Sequence, residues 1–173
     1  MIRKIAITGP ESTGKSVLSE QLAKHYHTCW VPEYAREYLR QINRPYEEKD
    51  LVDIAKGQLK SEGNKQEMAS DYLFCDTELI VIKIWSEVKY GRCHPWISEA
   101  LASHAYDLYL LCDIDLPWQF DPLREHPNDR KFLFNLYFNE LKNRNLPFLI
   151  VKGIGDDRLN SVVEKIDTFI FAK

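Results

Sequence analysis

Eight consecutive residues, Gly9-Pro10-Glu11-Ser12-Thr13-Gly14-Lys15-Ser16, combine types with one common chemical use. They match GxxxxGK[ST] without a gap. Glycines let backbone N–H groups converge on phosphate oxygens, and a helix beginning there adds the positive end of its dipole. A lysine at this spacing is suited to bridge the β- and γ-phosphates of ATP, and the hydroxyl after it to ligate Mg²⁺. A strand-to-helix turn with no ligand has no need of Lys and Ser behind the second glycine. Gly9, Glu11, Ser12, Thr13, Gly14, Lys15, Ser16 and Val17 are therefore read as an ATP-phosphate site, with Ser16 as a metal ligand.

Other groups able to take part in phosphoryl transfer lie at the ends of apolar runs. Glu33 and Arg36, in Pro32-Glu33-Tyr34-Ala35-Arg36, follow one such run. Glu33 is a candidate for the acceptor hydroxyl's proton, and Arg36 for neutralising phosphate or holding Glu33. Acidic residues also favour the first turn of a helix, which is the plain structural alternative. Asp76 ends Tyr72-Leu73-Phe74-Cys75-Asp76. An Asp at this place can hold Mg²⁺ through water, face the acceptor hydroxyl, or cap the next helix. Whether Asp76 or Glu33 is the base stays open. Residues 117–130 contain Pro117, Pro122, Pro127, two bulky aromatics and Arg124, the composition of a mobile lid whose arginine reaches the transferring phosphoryl group. His94 has no partner carboxylate or thiol spaced for a metal or nucleophilic site and is read as structural.

These groups need a scaffold that brings strand ends together. Apolar, β-favouring runs occur at Ile2–Thr8, Cys29–Val31, Tyr72–Cys75, Asp107–Cys112 and Pro147–Val151. Helical segments separate them at Lys15–His27, Tyr34–Ile42, Glu47–Gln66, Glu78–Lys89, Trp96–His104, Asp129–Asn143 and Arg158–Phe169. Glu78–Lys89 is apolar on most sides and is expected to be buried against the sheet. Alternating strands and helices predict an α/β fold: a three-layer αβα sandwich with a five-stranded, mainly parallel sheet, of the P-loop NTPase, nucleoside-kinase-like kind. Ligands in such folds lie at the carboxyl ends of the strands.

With 173 residues the chain is expected to form a single domain. Its 23 basic and 26 acidic residues leave a net charge of −3, against the basic excess of nucleic-acid binders. No apolar stretch is long enough to cross a membrane, and a cytoplasmic location is expected. Cys29, Cys75, Cys93 and Cys112 have no zinc spacing and are expected to be free thiols. Asn64-Lys65-Gln66-Glu67 lacks the Asp of the guanine-specificity motif NKxD. AAA-type ATPases are larger and need a second helical domain. A small-molecule kinase needs only a phosphate cradle, an acceptor pocket and a lid, and suits this length. A nucleotide-binding module that does not turn over is the alternative outside catalysis.

The segments GPESTGKSVL, PEYAREY, DTE after an apolar strand, GRCHP and WQFDPLR, in this order, resemble the ribosylnicotinamide kinase domain of NadR-type proteins. The resemblance runs roughly from Ile5 to Ile166. It implies transfer of the γ-phosphate of ATP, with Mg²⁺, to the ribose 5′-hydroxyl of nicotinamide riboside. It puts Asp76 at the reacting hydroxyl or its metal, and Tyr34, Arg36, Trp118 and Asp121 around the substrate pocket or lid. The chain starts at the kinase strand and has no HxGH motif, so adenylyl transfer is not expected. An aromatic residue of the family pattern is replaced by Pro32, with Trp30 two positions earlier. Another nucleoside or small metabolite remains the alternative acceptor.

Overall fold

The computed structural model describes residues 2–171. Five strands, Arg3–Thr8 (β1), Trp30–Val31 (β2), Tyr72–Asp76 (β3), Leu108–Cys112 (β4) and Phe148–Val151 (β5), form one sheet in the order β2-β3-β1-β4-β5. All four pairings are parallel. The helices are Lys15–His25 (α1), Tyr34–Ile42 (α2), Glu48–Gln66 (α3), Leu79–Tyr90 (α4), Pro95–Ser103 (α5), Arg130–Asn143 (α6) and Gly155–Phe171 (α7). Each lies where the sequence pattern predicts one, with ends that coincide or shift by up to three residues. The expected layered α/β fold is the one found.

The strands read as continuous apolar runs because both faces of the sheet are covered. Successive side chains point to opposite faces. On one face Ile5, Ile7, Phe74, Leu108, Leu110 and Cys112 meet Leu18 and Leu22 of α1 and Val162 and Ile166 of α7. On the other, Ala6, Leu73, Cys75, Tyr109 and Leu111 meet residues of α3, α4, α5 and α6. Cys75 and Cys112 are buried, Cys29 and Cys93 half-buried, and all four are free thiols.

One expectation needs correcting. Helix α4 buries Leu79, Ile80, Ile82, Ile84 and Ser86, but Val81, Trp85 and Val88 are only half-buried and face a cavity, shared with Ile84. Its extra apolar side packs at the edge of the core and is at the same time the wall of a pocket. Among the described residues no helix is long and apolar enough to cross a membrane.

Candidate active site

The order β2-β3-β1-β4-β5 sets β1 between β3 and β4, and the register pairs Ile7 with Asp76. The chain leaving β1 therefore emerges beside the end of β3. It turns at Gly9, with φ +125°, where a Cβ would stand 2.9 Å from the Cys112 carbonyl oxygen, so only glycine fits. Ser12 and Gly14 have φ of +56° and +75° on either side of Thr13, whose φ is not positive. This alternation is the one that makes successive N–H groups converge in an anion-binding nest. The Thr13 hydroxyl donates to the Pro10 carbonyl at 2.8 Å and braces the loop from inside. Lys15 Nζ lies over the loop, 3.0 Å from the Gly9 carbonyl and 2.7 Å from that of Pro10. The eight residues read as the phosphate site all line one cavity of about 410 Å³, which Glu33, Arg36 and Arg124 also line.

Asp76, the last residue of β3, is 1% exposed, and its Oδ1 has no hydrogen-bond partner. Burial pushes its carboxyl up to about 6, and the charge of Glu33 adds to the rise; the Ser16 hydroxyl, Lys15 and Arg36 oppose it. Asp76 is not the helix cap. Thr77, a β-branched residue at φ +66°, turns the chain so that Glu78 accepts from the Ile80 N–H at 2.6 Å and caps α4. The Thr8 hydroxyl donates to Glu78 at 2.9 Å, and burial raises the Glu78 carboxyl to about 7. Strain at Thr77 thus separates a capping carboxylate from one left free beside the phosphate loop. A hydroxyl and an unpartnered carboxylate oxygen side by side fit Mg²⁺, an ion that takes few protein ligands and completes its shell with water and phosphate. Among the described residues no cluster of three or more acidic, His or Cys side chains could hold a metal by itself.

Arg36 joins the carboxylates to the lid segment. Its Nε donates to Glu33 at 3.0 Å and its Nη1 to Asp121 at 2.7 Å. Asp121 also accepts from the Leu123 N–H at 2.9 Å, and its carboxyl is lowered by that bond first and by Arg36 next. Asp121 itself lines neither this cavity nor a second one, of about 600 Å³, which Tyr34, Arg40 and Asp76 line. The two cavities share Ser16, Glu33 and Arg36. The Tyr34 ring lies against Gly57 of α3, where a Cβ would come within 1.9 Å of it. Buried Gln58 accepts from the Tyr34 N–H at 3.0 Å and so fixes the start of α2. Trp118 lines neither cavity; Arg124 and Arg130 stand 5.8 and 6.0 Å from its ring centre.

The segment between β4 and α6 crosses the phosphate loop. Glu11 accepts from the N–H groups of Glu125 and His126 at 3.0 and 3.2 Å. The Ser12 hydroxyl accepts from the Gln119 N–H at 2.9 Å and from Arg124 at 3.4 Å; Arg124 also donates to the Gln119 carbonyl. On the far side, Glu125 accepts from Tyr46 at 2.6 Å and Lys89 at 2.8 Å. The Trp85 indole donates to the Tyr46 hydroxyl at 2.7 Å, which satisfies its one polar atom. Trp85, with Val81, Ile84, Val88, Leu133 and Tyr137, makes the apolar wall. Sequence reasoning does not place Tyr46, Glu125 or Arg158 at the site; it leaves Arg130 as a solvated charge or a site residue, and of this wall it singles out only Trp85, as pocket or core. Only the surplus apolar side of α4 was a visible signal. His94, read as structural, caps α5: its Nδ1 accepts from the Trp96 N–H at 3.2 Å.

A phosphate nest beside a buried free carboxylate, on a 2-3-1-4-5 parallel sheet, is the arrangement of a P-loop fold of the nucleoside-kinase kind. The chain belongs to the AAA domain family, which matches residues 4–158. It is 31% identical over 159 residues to the trifunctional NAD biosynthesis/regulator protein NadR of Salmonella typhimurium, covering 87% of this chain and 38% of NadR. The chain thus spans well under half the length of that relative. Its fold matches the crystal structure of NadR in complex with NR with a TM-score of 0.80, at 19% identity, over 97% of this chain and 50% of that one. Deoxyadenosine kinase from M. mycoides matches with a TM-score of 0.65, at 15% identity, over 95% and 99% of the two chains.

Proposed function

We propose that the protein is an ATP-dependent kinase that phosphorylates the ribose 5′-hydroxyl of nicotinamide riboside, giving nicotinamide mononucleotide. The observation that carries this reading is the buried, unpartnered Oδ1 of Asp76 beside the phosphate loop. A carboxylate kept free at that place has a use when a hydroxyl is brought to it. The 5′-oxygen attacks the γ-phosphorus, the bond to the bridging oxygen of ADP breaks, and the hydroxyl proton passes to Asp76. Desolvation makes Asp76 a stronger base than an exposed carboxylate, and at neutral pH it is mostly ionised. Glu33 is paired with Arg36 and a quarter exposed, which leaves it less free to take the proton. Mg²⁺, held by the Ser16 hydroxyl and through water by Asp76, would supply neutralisation of the phosphate charge. Lys15 holds the β- and γ-phosphates, and Arg124 stabilises the phosphoryl group in flight.

Residues 117–130 act as the lid, and the described chain works as a single domain. For the acceptor, the Trp85 face suits a flat ring, and an aromatic face favours a cationic one. The pyridinium ring of nicotinamide riboside is both, and NadR, the relative above, has been crystallised with NR. An ATP-consumption assay over a panel of ribonucleosides and deoxyribonucleosides tests this. Nicotinamide riboside is expected to give the highest kcat/KM. Preference for a neutral nucleoside would move the acceptor assignment elsewhere, and no turnover on any would leave a binding module.

A further inference from the structure

Arg158 is 5% exposed, yet its charge is poorly matched. Among the described residues the one carboxylate in ion-pair range is Asp115, at 4.0 Å, and its Nε has no hydrogen-bond partner. Withdrawing a guanidinium from water costs several kcal/mol unless close partners offset it. The Cys112 thiol lies beside it, and its hydrogen bonds at the loop are to backbone: Nη2 donates to the Thr13 carbonyl at 2.7 Å and Nη1 to the Gly153 carbonyl at 3.4 Å. On the neighbouring peptide Arg130 does the same, donating to the Ser12 carbonyl at 3.2 Å and to that of Leu116 at 2.9 Å. Two arginines, from the starts of different helices, thus hold two consecutive carbonyls of one loop.

In a trans peptide the carbonyl and the following N–H point in opposite directions. No peptide among the described residues is cis. Drawing the Ser12 carbonyl toward Arg130 therefore turns the Thr13 N–H away from Arg130. Drawing the Thr13 carbonyl toward Arg158 likewise turns the Gly14 N–H away from Arg158. These are the peptides that the alternating φ signs of Ser12, Thr13 and Gly14 fold into a nest. Ser12, which is not glycine, is costly at φ +56° and needs outside support.

We propose that Arg130 and Arg158 are positioning residues for the nucleotide's phosphates. They grip the nest by its carbonyls, so that the Thr13 and Gly14 N–H groups are aimed before the anion arrives. The β- and γ-phosphates then offset the charge that Arg158 carries unmatched. Preorganisation of this kind acts on affinity by removing the cost of ordering the loop. The proposal rests on nucleotide binding at the loop and not on the identity of the acceptor.

The test is calorimetry with Mg–AMP-PNP and, separately, with AMP, which lacks the β- and γ-phosphates. Arg158→Met is expected to weaken AMP-PNP by about tenfold or more, the scale of a hydrogen bond to a charged group, and AMP by no more than about twofold. Arg158→Lys, which keeps one donor, should recover part of the loss. Arg130→Met, at the half-buried start of α6, should weaken AMP-PNP by about fivefold. Equal losses for AMP and AMP-PNP would mean a general collapse of the site and overturn the proposal. So would wild-type affinity in the variants. If Arg158→Met does not fold, Arg158→Lys and Arg130→Met decide, and unchanged AMP-PNP binding in both overturns it. Wild-type protein that binds no AMP-PNP removes the nucleotide reading itself, before any variant is made.

Discussion

In the proposed reaction Asp76 and Lys15 act through single charges, and their substitution should separate chemistry from folding. Lys15 is held over the loop by two carbonyls and contributes no core packing, so Lys15→Ala should keep its melting temperature and lose most phosphoryl transfer. Normal turnover in the folded variant would sink the phosphate-loop assignment. Asp76→Asn preserves shape in a buried place and removes only the charge. Turnover should fall roughly a hundredfold or more, the scale of one general base or charge-positioning group. Because Glu78 supplies the cap, the stability of α4 should not change. A lower melting temperature with full specific activity would reduce Asp76 to a structural part.

At the scale of elements, Asp50 is the group whose charge the fold uses most. It is 1% exposed, takes two hydrogen bonds from Arg44 at 2.7 and 2.8 Å, one from Tyr38 at 2.8 Å, and completes the capping box of α3 with Glu47. The Arg44 guanidinium first, against the opposing effect of burial, holds its carboxyl well below the usual carboxylate range. A carboxyl with a lower pKa in the folded chain than in the unfolded one stabilises the fold fully above pH about 4 and loses that contribution as pH falls further. Asp50→Asn should therefore flatten the acid side of a melting-temperature profile while lowering its neutral plateau. Arg44 is itself exposed, so the lowering should be modest, roughly a few °C in a domain this size. A variant with the same acid slope as wild type would contradict this. Elements like α3 were legible in the sequence because periodicity and caps are local. So was the phosphate loop, whose function lies in contiguous residues. What was not legible depends on pairs far apart in the chain, such as Tyr46 with Glu125 or Arg158 with Thr13. Trp85 shows the same limit: its apolar character was plain, but only the placement of α6 decides whether it meets core or cavity.

For the whole molecule, the segment between β4 and α6 decides how the site meets water. Arg124 lines the cavity at the phosphate loop and packs over Trp118. If it meets the phosphoryl group chiefly as charge develops there, Arg124→Ala should lower kcat far more than it weakens ATP binding. Equal losses in both would make it a plain ATP ligand. Protease nicking between Pro117 and Pro127 should slow when nucleotide and acceptor are both bound, and unchanged cleavage would count against closure.

Glu125 is tied at both ends: its N–H to Glu11 of the phosphate loop, its carboxylate to Tyr46 and Lys89 beside the apolar wall. A segment moored on two shores does not swing like a flap hinged on one. Neither mooring alone frees it, so departure of product waits on a concerted release. The expected consequence, in the proposed kinase, is that escape rather than bond breaking is the slow event of the cycle. Rapid mixing with excess substrate should then show a first turnover of ADP, close to one per site, formed ahead of a slower steady rate. Glu125→Gln, which slackens one mooring, should shrink this burst while raising the steady rate. A linear time course from the first turnover would place the slow event in the chemistry.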